Sequence, residues 1–264
     1  MTEPGGGGDG ENNAYHGATT EDHPFRGRVT VYQPAKGFRY SVDAFILIDF
    51  ASHPISNSEP LSIDAAEFGS GTGIVAMGLA LYDSVGHITG LEITEELAQM
   101  GRRGVVASGL SEKVTLLTGD YKNPTASGLK PDFYDLVVSN PPYRPVGKGR
   151  VSPDMSRAVA RHEIAANLED LVRAAARILK SNGSFCVIYV PERLPELFEK
   201  LKQYRLEPRR MRFVHPDRET PARMVLVEAK KSSAKGLEIS PPLYVQDEKG
   251  NYTEEMGKAF EGPK

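Results

Sequence analysis

The sequence predicts an α/β protein built on a doubly wound, mostly parallel sheet of seven strands that ends in an antiparallel pair. Three observations lead there. Short runs rich in β-branched residues alternate with longer amphipathic stretches, the pattern of a βαβ series. Three successive strand-like runs, Leu61–Glu67, His87–Glu92 and Val114–Asp120, each finish on an acid, and a fourth, Leu136–Val138, leads through Ser139 to Asn140. Last, Met211–Val214 and Met224–Glu228 are joined by a polar loop with no helix, so the second turns back along the first.

Composition fits that class. At 264 residues, 39% hydrophobic and 25% charged, the chain resembles an ordinary soluble protein with one large core. The single cysteine, Cys186, sits in an apolar run, so no disulfide framework forms within the chain and a reducing cytoplasm is expected. No apolar run approaches membrane-spanning length, and no basic-then-apolar leader opens the sequence. His16, His23, His53, His87 and His215 have no metal-ligand spacing, so no metal is expected.

Residues 1–25, with Gly5–Gly8 and little to bury, read as a disordered tail, followed by a domain over 26–235. Val29–Tyr32 alternates as a strand, Pro34 and Gly37 mark a turn, and Ser41 caps an apolar helix over Val42–Phe50. The first core strand runs through Phe68-Gly69-Ser70-Gly71-Thr72-Gly73 into a helix from Ile74 to about Tyr82. Thr94 is placed to cap a helix reaching about Ala107. After Tyr143 comes a long connection to Ala166 carrying Lys148, Arg150, Arg157, Arg161 and His162, and loops of that length usually serve function. Asn167 is placed to cap a helix over Leu168–Lys180, stopped by Asn182-Gly183. Phe185–Val190 reads as a fifth strand and Pro191–Gln203 as a helix. Residues 236–264 read as a peripheral extension, and no internal repeat is present.

Chemistry concentrates at the strand ends. Gly69, Gly71 and Gly73 between strand and helix form a nucleotide-type loop, but not the dinucleotide pattern, whose third glycine would fall at Ile74. Glu67 would repel a phosphate there and suits a ligand with a cationic amino-acid end. Glu92 is placed to accept from two ribose hydroxyls, and Asp120 from an adenine amino group. Pro141 and Pro142 cannot continue a central strand, so Asn140 is held at a carboxyl strand end, where open α/β sheets bind ligands. The Asn140 amide oxygen and a neighbouring backbone carbonyl make two acceptors beside the flat Tyr143 ring, which suits a planar group carrying an NH2. Taken singly, each acid reads as a solvated loop residue and the Asn-Pro-Pro-Tyr run as a turn after a core strand; the series is much rarer.

Charge is uneven. Residues 140–235 hold 20 Lys+Arg against 11 Asp+Glu, and the rest of the chain 12 against 24, within a net charge of −3. The half containing Asn140 is the basic one, as expected if a polyanion approaches there.

Together, Glu67-Phe-Gly-Ser-Gly-Thr-Gly73, Glu92, Asp120 and Asn140-Pro-Pro-Tyr143 resemble the class I S-adenosylmethionine-dependent methyltransferases, with their Rossmann-like fold. The chain is more specifically similar to the bacterial tRNA1(Val) adenine-N6 methyltransferases over roughly Arg28 to Met256. Lys36–Asp43, Arg157–Glu163, Pro191-Glu-Arg193, Pro241-Pro-Leu243 and Tyr252–Glu255 carry that closer resemblance. It departs at Glu67, where the family more often has Asp. The resemblance implies S-adenosylmethionine as cofactor, held by Glu67, Gly69, Gly71, Gly73, Glu92, Asp120 and Asn140. Asn140, Pro141, Pro142 and Tyr143 become the catalytic set, and Tyr143, Arg144, Lys148 and Arg150 face the substrate, a tRNA modified next to the anticodon. Two alternatives stay open: Asn-Pro-Pro-Tyr also occurs in methyltransferases that modify a release-factor glutamine, and the fold can persist as a non-catalytic scaffold.

Overall fold

The computed structural model describes residues 18–37, 39–56, 62–141 and 168–263. In chain order the elements are β1 (Thr19–Asp22), β2 (Val31–Pro34), α1 (Val42–Ser56), β3 (Ile63–Phe68), α2 (Ile74–Ala80), β4 (Val85–Glu92) and α3 (Glu95–Ala107). There follow β5 (Val114–Thr118), β6 (Tyr134–Ser139), α4 (Leu168–Ile178), β7 (Leu179–Tyr189), a 3-10 turn (Pro191–Arg193) and α5 (Leu194–Gln203). The chain ends with β8 (Leu206–His215), β9 (Met224–Lys231), β10 (Glu238–Ile239), β11 (Leu243–Tyr244) and α6 (Glu254–Glu261).

The main sheet runs β10-β8-β9-β7-β6-β3-β4-β5, with β11 also on β8. Strands β3 to β7 are parallel, and β9 lies antiparallel between β7 and β8. Alternation along each buried strand splits the core in two. Ala65, Leu136, Val138 and Ile188 pack towards α1 and α2, and Ala66, Val137, Phe185 and Val187 towards α4 and α5. The expected architecture is therefore present, with helices on both faces.

Several expectations need correcting. The sheet has nine strands among the described residues, not seven, because β10 and β11 add to the edge of β8. Residues 236–264 are accordingly not peripheral: Leu243 and Met256 are buried, and the Phe260 ring meets Phe45 of α1 edge-on at 5.0 Å. The tail read as disordered over 1–25 is ordered within its described part. Strand β1 pairs antiparallel with β2, and Phe25 is buried 5.2 Å from Phe45. Pro34, taken for a turn, ends β2, where the missing N–H costs nothing at the ladder's end. Helix α4 stops at Ile178, and Lys180 lies in β7, where its ammonium pairs with Asp135 of β6 at 2.9 Å. Asn182, in the left-handed region at φ 64°, sits in a long bulge of β7, since Leu179 faces Tyr134 while Ser184 already faces Leu136. The cap expected at Asn167 lies outside the described residues.

Candidate active site

Register brings the four strand ends together. Strand β3 lies between β6 and β4, with Glu67 level with Val138 and Gly90; Glu92 is level with Thr118 of β5. Asn140, Glu67, Glu92 and Asp120 thus stand on four adjacent strands within two residues of one level. Three strand spacings of about 4.8 Å and two residues' rise of about 3.3 Å each set the outer pair roughly 16 Å apart. The hydroxyl of Ser139 donates to the Phe68 carbonyl at 2.9 Å and ties the ends of β6 and β3 together. Asn140, half-buried, and the buried Pro141 follow directly.

The glycine loop is held from below. Gly69, Gly71 and Gly73 have φ of 70°, 54° and 81°, the left-handed region that L side chains rarely adopt. At Gly73 a Cβ would also stand 2.7 Å from Leu116 Cδ1, whereas at Gly69 it would meet nothing within 4 Å, so a ligand can approach there. The amides of Gly69 and Ser70 donate to the Leu91 carbonyl at 2.8 and 3.1 Å, and Gly71 donates to Glu92 Oε2 at 2.8 Å. The Ala76 amide in the first turn of α2 donates to Glu67 Oε2 at 2.9 Å. These N–H groups, which in a phosphate-binding loop would point at the ligand, are already satisfied by the protein. Two carboxylates occupy the place where a phosphate would need donors.

Both carboxylates are buried, Glu67 at 2% exposure and Glu92 at 0%. Burial pushes the Glu67 carboxyl well above its usual range; the Ala76 N–H opposes this, and the neighbouring Glu92 adds to it. A cation placed beside Glu67 would reverse the penalty. Glu92 also accepts from the Thr94 amide at 2.8 Å, so each of its oxygens takes a backbone donor that fixes the carboxylate in place. The Thr94 side chain, expected to cap α3, makes no capping bond. Asp120 Oδ1 accepts from the Lys122 amide at 2.9 Å, a local turn that fixes the carboxylate past β5.

Two groups escaped the sequence reading. The Tyr121 ring packs on Phe68 at 5.5 Å, and burial raises its hydroxyl pKa strongly, with the Asp120 charge adding to the effect. Its adjacency to Asp120 was the available signal. At the N-terminus of α1, burial raises the Asp43 pKa, opposed by the Ser41 hydroxyl. Beside it, a cavity of about 500 Å³ is lined by Tyr40, Phe45, Tyr252 and Phe260 among others, and by none of the strand-end motifs. Pro142, Tyr143, Arg144, Lys148, Arg150, His162 and Glu163 lie outside the described residues. Among the described residues, no group of three or more His, Cys, Asp and Glu could hold a metal, and no helix is long and apolar enough to cross a membrane.

The arrangement fits a ligand carrying an ammonium, a diol and an amino group in line: a buried carboxylate that favours a cation, two further carboxylates beyond it, and an open face at Gly69. Comparison with known proteins shows the family. The family described as methyltransferase small domain matches residues 48–206, which include the glycine loop, all three acids and Asn140. A Porphyromonas gingivalis protein named tRNA1(Val) (adenine(37)-N6)-methyltransferase is 30% identical over 175 residues, 66% of this chain and 67% of its own length. A protein of the same name from a Flavobacteriaceae bacterium is 28% identical over 239 residues, 89% of this chain and 96% of its own. The crystal structure of a predicted O-methyltransferase from Agrobacterium tumefaciens superposes with a TM-score of 0.65 at 21% identity, covering 84% of this chain and 97% of that one, a likeness of fold. With the family match spanning more than half its residues, the chain belongs to the methyltransferase small domain family.

Proposed function

We propose that this methyltransferase moves the methyl group of S-adenosylmethionine to the N6 amino group of an adenine in tRNA, next to the anticodon. The observation that carries the reading is the row of Asn140, Glu67, Glu92 and Asp120 on four adjacent strand ends. Glu67 would hold the methionine ammonium, Glu92 the ribose hydroxyls and Asp120 the adenine amine. Bound there, the cofactor supplies an electrophilic sulfonium methyl. A neutral exocyclic amine is a poor nucleophile because its lone pair is delocalised into the ring. Acceptance of its two N–H bonds by the Asn140 amide oxygen and the Pro141 carbonyl would draw the lone pair out of conjugation and aim it at the methyl. As the new N–C bond forms the S–CH3 bond breaks and S-adenosylhomocysteine leaves. The cationic methylated amine sheds one proton to water, so the work is positioning and electrostatics and no strong base is required. The adenine must leave its stack to reach the strand ends, and Tyr143, close by in sequence, supplies an aromatic face for it.

The relatives' names support tRNA as the acceptor, as does the basic stretch over residues 140–235, which begins at Asn140. The test supplies labelled S-adenosylmethionine with tRNA lacking the modification, or with release factor, and identifies the labelled product by mass spectrometry. N6-methyladenosine supports the reading. Label in a protein glutamine alone, or no transfer to either despite cofactor binding, overturns it.

A further inference from the structure

The β8–β9 loop and the C-terminal extension meet at the same sheet edge as Asn140. Strand β8 is parallel to β6, and the pairings through β7 and β9 place Arg212 level with Asn140. His215 lies three residues further out and is paired with Tyr244 of β11. Three strand spacings of about 4.8 Å and three residues' rise of about 3.3 Å put His215 roughly 17 Å from Asn140.

An aromatic and cationic cluster occupies this position. The Arg218 guanidinium lies 5.0 Å from the Tyr244 ring centroid, and the His215 ring lies 5.5 Å from the same ring, tilted by 50°. The loop is pre-shaped: Asp217 accepts from the Glu219 and Thr220 amides at 2.9 and 2.7 Å and from the Thr220 hydroxyl at 2.9 Å. That turns the Asp217 carboxylate into the loop and leaves Arg218 and Arg223 exposed, with no carboxylate partner among the described residues. Arginines lower on the same strand are consumed instead. Arg210 pairs with Glu228, and Arg212 pairs with Glu255 and donates to the Pro241 carbonyl, bracing the extension. The Thr253 hydroxyl donates to the Tyr244 carbonyl at 2.8 Å, which ties the segment leading into α6 to β11. Glu219 is exposed in the same loop, so the surface favours stacking with two point charges over a broad basic field.

We infer that Arg218, Arg223 and Tyr244 form a docking surface for the unpaired RNA strand beside the methylated base, an inference that rests on the RNA reading above. Aromatic faces with arginines suit splayed bases and their phosphates. This gives the late Pro241-Pro-Leu243 and Tyr252–Glu255 stretches a purpose: they carry and hold Tyr244.

The test measures steady-state methylation of unmodified tRNA by the full chain, with a salt series, for wild type, the double variant Arg218→Ala/Arg223→Ala, Tyr244→Leu and Tyr244→Phe. Loss of one stacked base predicts a KM for tRNA about 5- to 150-fold higher for Tyr244→Leu, with Tyr244→Phe near wild type. The double variant should flatten the slope of log affinity against log salt by about 1.4, at about 0.7 per phosphate lost. In all variants kcat and affinity for S-adenosylhomocysteine stay unchanged, which a folding defect would not allow. Unchanged KM and slope beside an active wild type overturn the surface alone. A wild type that methylates no RNA overturns the RNA reading and the surface with it.

Discussion

Glu67 is the residue where stability and binding should pull apart. Its carboxylate is 2% exposed, has Glu92 as a neighbour, and keeps one bond from the Ala76 amide. In Glu67→Gln the side-chain carbonyl still accepts that N–H, but the buried charge is gone. Burial raises the folded-state pKa of Glu67 above its unfolded value of about 4.5, so the folded protein holds the proton more tightly. The wild type is therefore favoured below that unfolded value and loses stability as pH rises through the folded-state pKa. The loss is up to about 1.4 kcal/mol for each pH unit that separates the folded and unfolded values. Glu67→Gln does not titrate. Its stability should match the wild type near pH 4 and exceed it at pH 8. Affinity should move the other way. Losing a charge-assisted hydrogen bond of about 1.5–3 kcal/mol weakens S-adenosylmethionine binding about 10- to 150-fold. Denaturant melts across pH, paired with calorimetric titration of the cofactor, measure both quantities on one sample. A variant that binds the cofactor as tightly as the wild type, or that is less stable at pH 8, would refute the reasoning.

Three further outcomes follow from the same geometry. Asn140→Ala should cut kcat by about 10²–10³, the usual loss of one preorganised polar group, while S-adenosylhomocysteine affinity stays within about twofold of wild type. Gly73→Ala should destabilise the fold by roughly 1–3 kcal/mol in chemical denaturation, from left-handed strain and the Leu116 clash. Met256→Ala should cost about 2–5 kcal/mol, because Met256 is fully buried although it belongs to the extension; a change below about 0.5 kcal/mol would show that α6 is not part of the core.

The strand-end row was legible because two signals coincided in sequence. Buried parallel strands read as continuous apolar runs, and each run stops at a residue whose chemistry is wasted in a turn, at Glu67, Glu92, Asp120 and Asn140. The glycine loop was legible for the same reason, although its amides turned out to serve Leu91 and Glu92 and not a ligand. What escaped was structure anchored by single residues. Strand β1 is Thr-Thr-Glu-Asp, alternating exposed and half-buried, with no apolar side chain of its own, and the first buried apolar residue after it is Phe25. Strand β11 is two residues long, and Leu243 and Met256 are isolated apolar positions in polar surroundings, too sparse to set up a period. Asn182-Gly183 carries the signature of a helix stop, yet the helix has already passed into β7 and the pair serves a bulge. Tyr121 belongs to no sequence pattern, and only the fold sets it on Phe68.

Four adjacent strand ends forming one site for cofactor and acceptor is the central claim. A crystal structure of the protein soaked with S-adenosylhomocysteine tests it most directly. The ligand's amino group should lie on the Glu67 carboxylate, its ribose at Glu92, its adenine at Asp120, and its sulfur should turn towards Asn140. Ligand bound elsewhere, such as in the aromatic cavity beside α1, or with its amino group away from Glu67, would contradict it.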